Sequence, residues 1–428
     1  MPASCPTMRC ARSTSPRCAA AEAADRLMRV ALLHSFYSSA QSSGENVAVA
    51  AQAESLARAG HEVLVLGRRT DDEERLPGYK AKAAWRTLTN RGPNPAERLA
   101  AFAPDVVHVH NTVPNIGTTW VDSWRGPIVH TLHNFRPLCS NGLLFRDGHL
   151  CTECPDGRPW AAVEHGCYRD SRLASLPIAV RNAGGLADNP LLRRSDALVV
   201  LSTFARSTYV RYGVPESRLR LVPNGVSQVH SRVAPVRSGA GWIAVGRLRA
   251  EKGMAELVAA WPRGERLDIA GDGPLRSELE RRIGARESQD IRLLGQLDAV
   301  ELRRRLPEYR GLVFSSLGPE AAAPLVVIEA LEAGIPVAII DTSPHAPELV
   351  GLGVASTVRT DGPGIDPDSL NRVLDWVRYG NDALRLRCRS VYEQYFTEAD
   401  WVERITQVYD EVSARRRRPG GEPWIGDA

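Results

Sequence analysis

Short apolar runs separated by polar, glycine-bearing loops recur along almost the whole chain. Residues 29–36 (RVALLHSF), 61–67, 105–110, 127–132, 196–201 and 218–223 read as strands. Helices are predicted over 47–59, 95–103, 173–194 and 203–212. Strand, glycine-bearing loop, helix, strand is a βαβ unit, which is parallel and right-handed. After residues 227–239 (SQVHSRVAPVRSG), which lack apolar periodicity, a second series begins. It predicts strands at 241–246, 266–270, 291–295, 311–315 and 335–340, with helices at 255–261, 275–286 and 300–309 between them.

The stretch 314–337 (FSSLGPEAAAPLVVIEALEAGIPV) is the most informative. It predicts a strand end, a loop carrying Glu320, a helix carrying Glu329, then Gly334 as the helix stop and a new strand. Free N–H groups at the helix start favour an anion. Two carboxylates beside that site suggest a phosphorylated ligand with hydroxyls to grip. The alternative is an ordinary helix with one capping and one exposed Glu. Glu332, one turn beyond Glu329, is expected on the surface.

The expected fold is therefore α/β, with two Rossmann-like, doubly wound domains facing a cleft. The domain expectation is a disordered leader at 1–27 and a first domain at 28–227 with an insertion at 139–167. A linker follows at 228–240, a second domain at 241–395, a helix returning to the first domain at 396–414 and a tail at 415–428. A length of 428 residues suits two or three domains, and 43% hydrophobic content suffices for their cores. A net charge of +4 gives no warrant for nucleic-acid binding and leaves room for local anion sites. The run Arg415–Arg418 reads as a solvated tail, with peripheral membrane contact as the other option. No apolar run approaches the roughly 20 residues of a membrane span. Three of the eight cysteines lie in the leader, and the expected address is cytoplasmic.

Four constellations can carry chemistry. Arg247 and Lys252, in one strand-to-helix loop, can converge on a diphosphate, Arg as a planar fork and Lys as a point charge. A charged surface loop is the bland alternative. Gly271 and Gly273 (AGDGP) permit a tight turn and close backbone approach. His133 ends a strand and can donate to a sugar hydroxyl or a developing charge. His108 and His110 point the same way along one strand, so a metal pair is conceivable there, though no carboxylate partner is evident. The fourth is Cys139, Cys151, Cys154 and Cys167, spaced C-x11-C-x2-C-x12-C. Its intervening residues cannot form a core of their own, and structural zinc is the expected organiser, with free thiols or disulfides as alternatives. Cys388 stands alone.

Together these motifs resemble the retaining family 4 glycosyltransferases of the GT-B fold, over about residues 28–413. The carrying segments are Ser43-Gly44-Glu45-Asn46, His133-Asn134, Pro223-Asn224-Gly225-Val226, GRLRAEKG, AGDGP and PEAAAPLVVIEALEAGIPV. The cysteine-rich insertion is similar to that of one branch. The resemblance implies that Arg247 and Lys252 bind the donor diphosphate and that Glu329 holds the ribose hydroxyls. Glu320 and His133 would contact the donor sugar, and Gly44 would let the first-domain loop approach it. Amides around Ala323, Leu325 and Val326 would meet the phosphate; Pro324 has none to offer. It implies a UDP- or GDP-linked sugar donor, a glycan or lipid-linked acceptor entering from the first domain, and no catalytic cofactor. One departure matters: eight residues separate Glu320 from Glu329, where the family pattern has seven. Either the loop absorbs the extra residue or Ala321 occupies the family position. A nucleotide-sugar epimerase and a non-enzymatic zinc-bearing binding protein are the rival functions.

Overall fold

The computed structural model describes residues 27–39, 43–237, 239–286, 289–362 and 364–417. The expected leader up to residue 26 and the tail from 418 lie outside the described residues. Six strands, β1 (Arg29–Phe36), β2 (Glu62–Arg69), β3 (Val106–Asn111), β4 (Ile128–Leu132), β5 (Ala197–Val200) and β6 (Leu219–Leu221), form one parallel sheet. Its order is β2-β1-β3-β4-β5-β6. A second parallel sheet contains β7 (Trp242–Val245), β8 (Leu267–Ala270), β9 (Ile291–Gly295), β10 (Gly311–Phe314), β11 (Val337–Ile340) and β12 (Ala355–Val358). Its order is β9-β8-β7-β10-β11-β12. The central strands are buried along almost their whole length because helices cover both faces of each sheet. Both sheets reverse direction of winding, between β1 and β3 and between β7 and β10. Such switch points open a crevice beyond the carboxyl ends of the strands.

The helices that matter for the site are α1 (Gly44–Arg58), α2 (Tyr79–Thr89), α3 (Arg172–Asn182), α4 (Thr203–Arg211), α5 (Met254–Ala260), α6 (Leu325–Glu332), α7 (Pro367–Tyr395) and α8 (Glu398–Arg417). The single helix predicted at 173–194 is broken. α3 ends at Asn182, Gly184 and Gly185 turn the chain, and a short helix restarts at Pro190 under an Asn189 cap. α8 lies against the first sheet: Trp401, Ile405 and Tyr409 pack with Val30, Leu32 and Val106. Arg58–Glu398 (2.6 Å) and Arg220–Glu411 (2.5 Å) fasten its two ends.

The insertion at 139–167 shares the core of the first sheet. Leu138, Cys139 and Leu144 are buried with Leu198 and Val200 in the core of the first sheet. Contrary to expectation, Glu332 is wholly buried rather than on the surface. Its Oε1 accepts from the backbone N–H of Val229 (2.9 Å) and His230 (2.8 Å), and its Oε2 from His230 Nδ1 (2.7 Å). It therefore pins the segment joining the two sheets. No helix among the described residues is long and apolar enough to cross a membrane.

Candidate active site

The loops after β7 and β10 flank the switch point of the second sheet and are locked together. Ser315 Oγ donates to Lys252 O (2.8 Å), Ser316 Oγ to Glu251 O (3.3 Å) and Gly318 N–H to Glu251 O (3.0 Å). Gly253 turns the first loop at φ +63°, where an added Cβ would stand 2.1 Å from Ser315 O. Gly271 is required in the same way: its φ is +146°, and a Cβ would meet Gly246 O at 1.9 Å. At 273 the contact is Leu248 O, 2.6 Å away. Those two glycines thus press the AGDGP loop onto the backbone that carries Arg247.

Within this frame Lys252 Nζ lies 2.5 Å from Glu320 Oε1, which also accepts from Ser316 Oγ (2.8 Å). Burial alone raises the Glu320 carboxyl, but the Lys252 charge and these bonds hold it below the ordinary value. His345 Nε2 carries its proton, since it donates to Glu320 O (3.1 Å). Arg247 is more open, 3.9 Å from the Glu251 carboxylate, so its guanidinium can meet a ligand. Ala321 is buried among first-sheet residues, and Ala321 O accepts from Ser202 Oγ (2.8 Å), so Ala321 cannot present a group to the cleft. Glu320 itself stands at Lys252, just ahead of the bend at 321–324.

α6 begins at Leu325, after Pro324, with no side chain capping its first turn. The amides of Leu325 and Val326 precede the first intrahelical bond, which Val327 N–H makes to Pro324 O. Gly44 faces this turn from the first sheet: an added Cβ would lie 3.9 Å from Leu325 Cδ1. Glu329 is buried on the same helix, and its carboxylate has no hydrogen-bond partner among the described residues. Burial pushes its carboxyl up to about 7; Arg303 opposes the shift and Glu332 adds to it.

Across the cleft, His133 follows β4 and its Nε2 is 2.9 Å from His110 Nδ1. Burial and neighbouring imidazoles hold both rings well below the ordinary histidine value, so both are neutral. His108 is no metal ligand: its two nitrogens bond Tyr409 OH and Thr131 Oγ1, each at 2.7 Å. Residues not singled out beforehand complete this wall. Glu45 Oε2 accepts from Tyr37 OH (3.2 Å) and Asn134 Nδ2 (3.1 Å), and burial pushes that carboxyl up to about 7. Glu45 and Asn134 lie inside two of the motifs, which was the available signal. The described cysteines are all free, and Cys139, Cys151, Cys154 and Cys167 line one small pocket with Glu153 and His165. Among the described residues no three Cys, His, Asp or Glu side chains stand in a metal-binding arrangement.

Two facing doubly wound sheets have the GT-B arrangement. The model of Glycosyltransferase Family 4 matches residues 42–228, and that of Glycosyl transferases group 1 matches residues 240–371. The chain thus carries a family 4 and a group 1 glycosyltransferase domain in tandem. A glycogen synthase of Mycobacterium tuberculosis is 25% identical over 337 residues, covering 74% of this chain and 72% of its own. Among solved structures, sucrose-phosphate synthase from Thermosynechococcus elongatus superposes with a TM-score of 0.64 at 18% identity, covering 91% of this chain and 100% of that one. HepE of Anabaena in complex with UDP gives 0.56 at 15% identity, covering 90% and 100%.

Proposed function

We propose that this chain moves a sugar from a nucleoside diphosphate sugar to an acceptor hydroxyl with retention of anomeric configuration, in glycan or glycoconjugate synthesis. The observation that carries the reading is the convergence of Lys252, Glu320 and the open first turn of α6 at the switch point of the second sheet. The anomeric C–O bond breaks and its electron pair passes to the diphosphate. Lys252, Arg247 and the α6 amides meet the charge growing there. The acceptor oxygen then bonds the anomeric carbon from the same face, and its proton passes to the departing phosphate oxygen. These fixed cations do the work a catalytic metal would otherwise do. Glu329 has the free acceptor capacity that ribose hydroxyls need. A uridine nucleotide is the favoured donor, since the similar HepE was solved with UDP and with UDP-glucose. The test is a panel of nucleotide sugars scored for thermal stabilisation, then for transfer to added acceptors. Stabilisation followed by transfer supports the reading; isomerisation of the donor without transfer overturns it.

Glu329 must be ionised to accept from both ribose hydroxyls, and its pKa lies near 7. Affinity for UDP-glucose, whose diphosphate stays ionised throughout, should therefore rise about tenfold from pH 6 to pH 8. Titration calorimetry of Glu329→Gln should show a weaker, pH-independent affinity. A wild-type affinity that is flat with pH rules out this role.

Two further features support proposals. The pocket shared by Cys139, Cys151, Cys154 and Cys167 offers four thiols, a donor set suited to structural zinc. Elemental analysis should find one zinc per chain, and a chain that purifies metal-free with unchanged stability in chelator counts against it. Peripheral contact with an anionic membrane would use α2 and α3, which expose Trp85, Leu88, Leu173 and Leu176 next to Lys80, Lys82 and Arg172.

A further inference from the structure

The cavity beyond the carboxyl ends of β3 and β4 holds more positive charge than its walls neutralise. His110, His133, Asn134, Arg136, Arg181 and Asn189 line it. Arg136 shares its charge with Glu45 and stacks on Tyr168 (5.6 Å), yet its Nε is buried without a partner. Arg181, in the last turn of α3, makes no hydrogen bond or ion pair with any described residue. The one charged group acting on it is Arg136, of the same sign. Burial first, then Arg136, brings Arg181 down to about 10.

A structural arginine holds something. Arg218, for comparison, ties Leu192 O and Ser195 O at 2.6 Å each. Arg181 holds nothing, and its position beside Arg136 opposes folding. Asn182, the next residue, donates to Arg136 O (2.8 Å), so the end of α3 is fastened where the two guanidinium groups share one space. That space opens beside His133, on the wall opposite the donor loops.

We infer that this cavity receives an acceptor bearing an oxyanion, phosphate or carboxylate, which Arg136 and Arg181 grip together. Guanidinium forks match either oxyanion in bidentate geometry, and a neutral sugar would leave both cations unpaired in the closed site. This deepens the proposed transfer reaction by naming the acceptor's chemistry, and it rests on that reading.

The test uses inorganic phosphate as probe, with UDP saturating the donor side. Low millimolar phosphate should raise the Tm of the wild-type protein. Arg181→Met should start at an equal or higher Tm and gain less from phosphate, and Arg181→Lys should regain part of the response. General salting-in or exclusion effects are common to all three proteins and cancel in the comparison. Equal stabilisation of wild type and Arg181→Met, or none in wild type, overturns the inference. Glucose 1-phosphate, glucuronic acid and glucose are then compared as acceptors through UDP release. At least one anionic acceptor should show a KM about tenfold or more below that of glucose, an advantage lost in Arg181→Met. Which anion prevails separates a phosphorylated acceptor from a uronate, and equal use of glucose overturns the proposal. Failure of the wild type to bind UDP would sink the transfer reading itself, a result distinct from loss of the phosphate response.

Discussion

Lys252→Ala should lower turnover on the order of 10²-fold or more at saturating donor. The lysine stands where β7 gives way to α5, and its ammonium reaches Glu320 at 2.5 Å. The loop is held by backbone and serine contacts, from Ser315 Oγ to Lys252 O and from Gly318 N–H to Glu251 O. Truncating the side chain leaves those contacts in place, so the loss falls on chemistry rather than on folding. It removes a fixed positive charge that meets the departing diphosphate, a group whose charge is greatest in the transition state. The drop should therefore appear in kcat and kcat/KM together. Glu320 loses its counter-charge as well, so its carboxyl should titrate higher than in the wild type. Lys252→Arg should not restore full rate, because a planar fork cannot replace a point charge already packed against Glu320. Near wild-type kcat in Lys252→Ala would remove the basis for the donor-side assignment.

How much of this was legible varies with how local the signal is. The stretch 314–337 reads correctly because its punctuation is local: β10 ends at Phe314, α6 spans Leu325–Glu332 and Gly334 turns at φ +72°. The place of Ala321 is not local. It depends on Ala321 finding the core of the other sheet, a contact that spacing along the chain does not carry. Arg136 and Arg181 were missed for the same reason. They come together only because β1, β3 and β4 are neighbours in the sheet and α3 folds back over them. Glu332 was misread although a signal existed. LVVIEALE is apolar all round, which marks a helix buried on every side, so any carboxylate on it needs internal partners.

Glu332→Ala should be the most destabilising of these substitutions, by about 3–5 kcal/mol in denaturant unfolding. The carboxylate has no exposed surface and serves two backbone N–H groups, His230 Nδ1 and Arg389 Nη1 (3.2 Å), with Arg303 at 3.7 Å. Removing it strands buried cations and donors at once. Burial alone raises its pKa, but the bonds from His230 and Val229 and the His230 charge outweigh that and lower it. With the folded pKa depressed, the contribution is fully present above the ordinary glutamate range and is lost as pH falls through the folded value. The stability difference between wild type and Glu332→Gln should thus be largest near neutrality and shrink in acid. The same substitution reaches the donor site. Glu332 is one of the groups that raise Glu329, so its removal should lower the Glu329 pKa and move the rise in UDP-glucose affinity to lower pH. A stability loss with an unmoved binding profile would mean that the two carboxylates of α6, one turn apart, are not electrostatically coupled.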